Sequence, residues 1–373
     1  MISRKLSYAF ARDTKGLVGM DSRVEELKSL LAIGLNDVRI IGVWGMGGMG
    51  KTMLASVVFH MVSQEFDGCF FLNDVKGDSE KDGLVPLQQK LILQLLNVSM
   101  SIRDVDEGVF VIKNRICHKR ILLVLDDVNQ LDQLEKLAWK RDWFGSGSIV
   151  IITTRDKHLL QRVEVDKIYE VDGLNDDEAL HLLSLNAFKK DHPPNDYLEL
   201  SKDVVHYAKE LPLAIKILGS SLFSRSVNHW KSILNRLKEF PECAILKKLE
   251  IGFDVLHETE QKMFIYIACF FNHEGKNSVV AKLDYLGLHP GVGLDILVDK
   301  SLVKMNDNEV WMHDLLQDKG RNIVHDECPK DPGKRSRLWS FEDINNVLTK
   351  NTVRDHFENL RIYPIIAYQI VII

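Results

Sequence analysis

The sequence predicts an α/β fold: a parallel sheet with crossover helices, then a helical domain, then a small winged helix. Three observations predict it. Short apolar strands alternate with amphipathic helical stretches as far as Val171, which is the pattern of a parallel sheet. A glycine-rich loop joins one of those strands to a helix within Val38–Thr52, V-R-I-I-G-V-W-G-M-G-G-M-G-K-T. Beyond Val171 strand signals stop, helices take over, and two short strands about a turn close the pattern.

Residues 1–16 are mixed and polar and read as a disordered lead-in. Val24–Ala32 is a short helix with Leu27, Leu30 and Leu31 on its apolar side. Ile40–Trp44 is a buried strand, and Lys51-Thr52 opens the helix after the glycine loop. Cys69–Leu72 is a second strand, and Leu84–Leu96 a helix with Leu87, Leu91 and Leu95 at steps of four. Ile121–Leu125 is a third strand ending in Asp126-Asp127; Ser148–Thr154 and Ile168–Val171 are the fourth and fifth. A ligand belongs at the carboxyl ends of such strands.

Four amphipathic helices follow: Glu178–Phe188, Leu198–Lys209, Leu213–Phe223 and Trp230–Leu237, with Asp191–Asn195 as a loop. Glu258–Phe271 is helical and very apolar, and Leu294–Val298 is an apolar turn. Leu302–Met305 and Glu309–Met312 form a hairpin about Asn306-Asp307-Asn308, which suggests a winged helix. Past Pro329 the chain is charged and broken at Pro332-Gly333, as a linker would be. The expected boundaries are 17–171 for the sheet domain, 172–250 for the helical domain, 251–329 for the winged helix, and 330–373 for a linker and atypical tail.

A length of 373 residues is too much for one core, so several domains are expected. The apolar fraction of 45% and charged fraction of 27% are those of an ordinary soluble globular protein. A net charge of −5 gives no support to a nucleic-acid or anionic-membrane partner. The five cysteines, Cys69, Cys117, Cys243, Cys269 and Cys328, are scattered without a C-x-x-C. That suits free thiols in a reducing compartment and disfavours a disulfide framework or zinc site. No signal-peptide core follows Met1, and the longest apolar run in the body, Phe264–Phe271, is too short to span a bilayer. The apolar end, Ile362–Ile373, is broken by Pro364 and Gln369 and is also too short.

Gly45, Gly47, Gly48 and Gly50 followed by Lys51-Thr52 fit the phosphate-loop pattern G-x-x-x-x-G-K-[ST] in strand–loop–helix context. Glycines let the main chain curl, and the curled N–H groups with the helix start, through Met53, face an anion. Lys51 adds a full charge toward the β- and γ-phosphates, and the Thr52 hydroxyl is placed to ligate Mg²⁺. The strand Ile121–Val128 ending in two carboxylates is the Walker B arrangement. Asp126 would hold Mg²⁺ through water and Asp127 would orient the attacking water. Arg155, after Thr153-Thr154, is a cation suited to sensing the γ-phosphate. Pro212, in Leu211-Pro212-Leu213-Ala214, is a good first residue of a helix. His313, in Met312-His313-Asp314, carries no assignment by itself.

In this order, G-M-G-G-M-G-K-T, L-V-L-D-D-V, I-I-T-T-R, L-P-L-A and M-H-D closely resemble the NB-ARC nucleotide-switch module of plant disease-resistance proteins, part of the STAND group of P-loop NTPases. The resemblance spans about residues 17–350. Asn129 and the stretch Phe264–Phe271 lean toward the class with an N-terminal TIR domain. Neither a TIR domain nor leucine-rich repeats lie within these residues, so a fragment or truncated form is expected. The resemblance implies a P-loop nucleotide-binding domain, a helical ARC1 and a winged-helix ARC2. It implies ADP buried in a closed off-state, an ATP-bound open on-state and slow hydrolysis with Mg²⁺. It places Val18 and Arg23 on the adenine side, Pro212 against the base and His313 at the β-phosphate. It further implies other immune-receptor domains or chains as partners, an oligomer on activation, no nucleic acid, no membrane span, and a cytoplasmic or nucleo-cytoplasmic setting. Glu210 departs from the family, which usually has glycine before L-P-L-A, and the entry reads G-M-D-S-R in place of G-R-E.

Two other readings stand beside it. A conventional P-loop ATPase or kinase would need a second-substrate motif or acceptor base, and none is visible. A winged-helix DNA-binding regulator would need a basic face, whereas Asp314 and Asp318 sit beside the hairpin.

Overall fold

The computed structural model describes residues 17–96, 100–138, 140–239, 253–254, 256–306 and 308–350. The expected lead-in 1–16 and the tail beyond 350 lie outside the described residues. The chain divides into two compact units: Met1–Phe240 with Asp299–Ser301, and Pro241–Val298 with Leu302–Ile373.

The first unit opens with helix α1 (Asp21–Leu31), strand β1 (Arg39–Trp44) and helix α2 (Lys51–Val62). Strand β2 (Gly68–Leu72) precedes helices α3 (Val75–Asp82), α4 (Leu84–Leu96) and α5 (Val105–Ile116). Strand β3 (Ile121–Val128), helix α6 (Leu131–Leu137), strand β4 (Ile149–Thr154), helix α7 (Lys157–Arg162) and strand β5 (Lys167–Glu170) complete the sheet region. The sheet order is β2-β3-β4-β1-β5 and every pairing is parallel. Parallel strands need crossovers, and helices on both faces leave no solvated side. Alternate residues accordingly feed two cores. Ile40, Trp44, Leu123, Leu125, Val150 and Ile152 face one way, while Ile41, Val43, Leu122, Val124 and Ile151 face the other with α1 and α2.

Strand β3 does not end at the two carboxylates as expected. It runs through Asp126 and Asp127 to Val128, with its register to β4 shifting between Leu125 and Val128. The helices α3, α5, α6 and α7 are not among the elements expected from the sequence: α3, α6 and α7 are only six to eight residues long, whereas α5 does carry a helical stripe, Val105, Val109, Ile112 and Ile116.

Four helices continue the unit: α8 (Asp176–Ala187), α9 (Leu198–Ala208), α10 (Pro212–Leu222) and α11 (Val227–Glu239). Asn175 and Glu178 form a reciprocal capping box that starts α8. The buried Trp230 of α11 stacks on Phe188 with ring centroids 5.3 Å apart, meets Tyr197 edge-on, and donates its indole N–H to Leu222 O.

The second unit holds helix α12 (Glu258–Tyr266), which passes into a single π turn, Ile267–Phe271. Strand β6 (Glu274–Gly275), helix α13 (Lys276–Tyr285) and helix α14 (Pro290–Asp299) follow. The hairpin β7 (Lys304–Asn306) and β8 (Glu309–Trp311) pairs antiparallel, with β6 on the free side of β8. Helix α15 (Asp314–Glu327) comes next. Two expectations change here. The apolar turn at Leu294–Val298 is part of the longer helix α14, started by Pro290. The stretch 330–350, read as linker, carries a short 3₁₀ turn (Pro332–Lys334) and helix α16 (Phe341–Lys350). Arg335 fixes that turn, pairing with Asp343 at 2.9 Å and donating to Cys328 O and Pro329 O.

Candidate functional site

The glycine loop leaves β1, crosses the carboxyl edge of the sheet and enters α2. Gly45, Gly48 and Gly50 have φ of +152°, +86° and +96°, in the range that favours glycine. Gly47 does not share it; it is buried instead. A Cβ on Gly48 would come within 2.8 Å of Leu213 Cβ, so glycine is also what lets α10 approach the loop. Leu213 N donates to Gly48 O at 3.2 Å. Pro212, the first residue of α10, is thereby brought beside the loop, as a half-buried ring with no N–H to satisfy.

Gly50 caps α2 without a side chain, so the first main-chain N–H groups of the helix, at Lys51, Thr52 and Met53, point toward the loop. Lys51 is buried, and its ammonium donates to Gly45 O at 2.6 Å and Met46 O at 2.9 Å. Burial pushes its pKa down to about 7, Arg155 pushes it the same way, and Asp127 and Asp126 oppose them. A polyanion in the loop would supply the negative charge that this ammonium lacks.

Thr52 Oγ1 donates to Asp126 Oδ1 at 2.8 Å. Asp126 is buried, and the same oxygen accepts from Thr153 Oγ1 at 2.6 Å. Asp127 turns elsewhere. Its φ is +53°, its N–H donates to Thr153 Oγ1 at 2.9 Å, and its carboxylate lies 3.6 Å from Arg155 Nε. The two adjacent carboxylates therefore face different partners. A hydroxyl and a carboxylate oxygen in contact suit Mg²⁺, which takes few protein oxygens and keeps water and phosphate as other ligands. Among the described residues no group of three or more His, Cys, Asp or Glu could hold a metal alone.

Sequence reasoning missed two supports of this arrangement. Thr153 was read only as part of the approach to Arg155, yet its hydroxyl touches both carboxylate residues. The Thr-Thr ending of an otherwise Ile/Val strand was the signal available. Trp44 was read as strand core, and its indole N–H donates to Arg155 O at 3.2 Å. Behind β3, the buried Gln133 accepts from Asn129 N at 3.0 Å and donates to Asn129 Oδ1 and Ser79 Oγ, fixing the chain just past Asp127.

Three expected residues remain: Val18, Arg23 and His313. Val18 is half-buried in the entry segment. Arg23, on α1, forks onto Glu178 of α8 at 3.2 and 3.1 Å and also donates to Gly19 O and Gly173 O. Its guanidinium ties the entry segment to the helical part of the first unit. His313 belongs to the second unit, where it caps α15. It is buried, its Nδ1 accepts from Leu315 N at 3.2 Å, and its ring meets Trp311 edge-on at 6.0 Å. Glu210 has a φ of +65° directly after Lys209 at +46°, so the family's usual glycine is replaced where the backbone favours glycine.

Comparison with known proteins finds two family matches along the chain. The family described as NB-ARC domain matches residues 20–193, and that described as the winged-helix domain of disease resistance protein Roq1-like proteins matches residues 257–328. TMV resistance protein N of Nicotiana glutinosa is 42% identical over 359 residues, covering 94% of this chain and 31% of that protein. Disease resistance protein RUN1 of Vitis rotundifolia is 42% identical over 335 residues, covering 89% of this chain and 25% of that protein. The chain thus spans about a third or less of the length of these relatives. Among solved structures, a Walker-type ATPase of Pyrococcus abyssi shares the fold, with a TM-score of 0.55 at 12% identity over 82% of this chain and 96% of that one. No helix among the described residues is long and apolar enough to cross a membrane.

Proposed function

Because this chain belongs to the NB-ARC family, we propose that it is an ADP/ATP-binding switch acting in plant defence signalling. ADP holds an off-state, ATP an on-state, and slow hydrolysis with Mg²⁺ resets it. The observation that carries this reading is one cluster at the sheet's carboxyl edge: Lys51 under the glycine loop, Thr52 on Asp126, and Asp127 on Arg155. Each group has a distinct task. Lys51 neutralises phosphate charge, and Thr52 with Asp126 supplies Mg²⁺ oxygens. Asp127 is the candidate to orient water. Arg155, shared with Asp127, would exchange that carboxylate for a γ-phosphate when one is present. Such an exchange distinguishes ATP from ADP, which is what a switch requires.

Pro212 and Val18 are assigned to the base, and His313 to the β-phosphate in the ADP state. Arg23 is assigned with Val18 to the adenine side, where its pairing with Glu178 holds it in place. Moving a two-state equilibrium from mostly off to mostly on takes about 5 kcal/mol of differential binding, so more than one of these contacts must change with the nucleotide. Partners are the other domains or chains of an immune receptor, in a cytoplasmic or nucleo-cytoplasmic setting, with assembly on activation.

The test is direct. Nucleotide released from the purified chain by denaturation is identified, and Lys51→Ala is treated alike. ADP in the wild type and none in the variant is expected; a variant that still carries ADP contradicts the assignment. His313→Ala should speed ADP release, and an unchanged release rate removes His313 from the site.

A further inference from the structure

Between β3 and β4 the register advances three residues on one strand and two on the other: Leu125 pairs with Ile152, and Val128 with Thr154. Asp126 and Asp127 together stand opposite the single residue Thr153. This is a β-bulge, rare between parallel strands, and bulges re-aim side chains beside functional sites. Here it sits on the two carboxylates.

A bulge leaves main-chain groups without their ladder partners, and buried polar groups must be satisfied. Hydroxyls fill the gap. Thr153 Oγ1 accepts from Asp127 N at 2.9 Å and donates to Asp126 Oδ1 at 2.6 Å. Thr154 Oγ1 donates to Val128 O at 2.6 Å and accepts from Asp156 N at 3.0 Å. Both threonines are buried. Thr153 thus uses donor and acceptor at once on two consecutive residues, which a hydroxyl can do and a methyl cannot. Asp127 stands at φ +53°, which a non-glycine residue holds only when its surroundings fix it.

We propose that Thr153 is a positioning residue that divides the two carboxylates between two tasks. Its hydroxyl keeps Asp126 aimed at Thr52, on the Mg²⁺ side, and pins the Asp127 backbone so that its carboxylate turns to Arg155. The role of the metal rests on the nucleotide-switch reading; the positioning itself does not.

The experiment compares wild type, Thr153→Val, Thr153→Ala and Thr153→Ser in the full chain. Amide exchange at Asp127 is followed without nucleotide, and ADP affinity is measured with Mg²⁺ and with EDTA. Valine and alanine variants should exchange the Asp127 amide faster and lose about tenfold of the Mg²⁺ enhancement of ADP affinity, as expected for one lost hydrogen bond to a charged acceptor. Their ADP affinity in EDTA should stay within about twofold of wild type. Serine should retain both wild-type behaviours. Unchanged exchange and Mg²⁺ enhancement in the alanine variant overturns the proposal, as does a serine variant that behaves like valine, which would assign the effect to packing. Where valine fails to fold, alanine carries the comparison. If wild type binds no ADP, the switch reading fails, while the exchange series still decides whether Thr153 positions Asp127.

Discussion

Lys51 should destabilise the fold that carries it, and by an amount that depends on pH. Its pKa is about 7 in the folded chain against an ordinary 10.5, chiefly because burial strips the ammonium of water. A folded pKa below the unfolded one means the folded state binds the proton less tightly. The penalty is therefore full below about pH 7, shrinks as pH rises, and vanishes above about 10.5. Linkage gives about 4 kcal/mol at pH 7 and about 2 kcal/mol at pH 9. Replacing Lys51 by Met removes the penalty but strands the Gly45 and Met46 carbonyls, at about 1–2 kcal/mol in all and at every pH. Nucleotide-free Lys51→Met should thus be about 2–3 kcal/mol more stable than wild type at pH 7 and close to equal at pH 9. Urea unfolding of both proteins at the two pH values measures this. Saturating ADP should reverse the order at pH 7, because only the wild type gains binding energy. A variant less stable than wild type by one constant amount at both pH values would refute the reasoning, since no stranded ammonium would then exist.

Other outcomes follow from the same geometry. ADP affinity of the wild type should fall as pH rises above about 7, approaching tenfold per pH unit, because a neutral Lys51 amine must take up a proton to meet phosphate; calorimetry in buffers of different ionisation heat would show the uptake. Glu210→Gly should stabilise the chain by about 1 kcal/mol in urea titrations, since φ +65° strains any residue with a Cβ; no gain would mean that the Glu210 side chain holds the turn. Asp127→Ala should slow ATP hydrolysis while leaving ADP affinity nearly unchanged, and Asp126→Ala should instead weaken Mg²⁺-dependent binding; equal losses in both assays would deny the division between them. In a double-mutant cycle, Arg23→Gln and Glu178→Gln should couple by about 1 kcal/mol, with Arg23→Gln the costlier single change because it also abandons the Gly19 and Gly173 carbonyls.

The legible parts of this protein are those where a short run of residues fixes its own conformation. The strands β1, β3 and β4 are nearly continuous Ile, Val and Leu because both faces are covered, and such runs are visible without any partner. The glycine loop is legible for the same reason: Gly45, Gly48 and Gly50 are demanded by the main chain they occupy. What stayed hidden depends on residues distant in sequence. The helix α3 has one buried apolar anchor, Val75, and packs on β3, while the seven-residue α6 packs on α4 and α5 with Gln133 hydrogen-bonded to Ser79; the sequence alone does not bring these partners near. The turn and helix after Pro329 read as linker because Arg335 and Asp343 look like solvated charges until one fork closes on the other.

The bulge in β3 is the sharpest case. Asp126-Asp127 looks like the end of a strand, because carboxylates usually belong to turns. The strand continues because two threonine hydroxyls on the neighbouring strand supply the hydrogen bonds that its main chain would otherwise lose. The pair of acids and the pair of threonines are each visible in the sequence, but the register that sets two residues against one is not. That register decides which acid meets Thr52 and which meets Arg155, so the chemistry assigned to each depends on a strand pairing between residues about 27 positions apart in the chain. A motif can name the groups that act; only the pairing tells them apart.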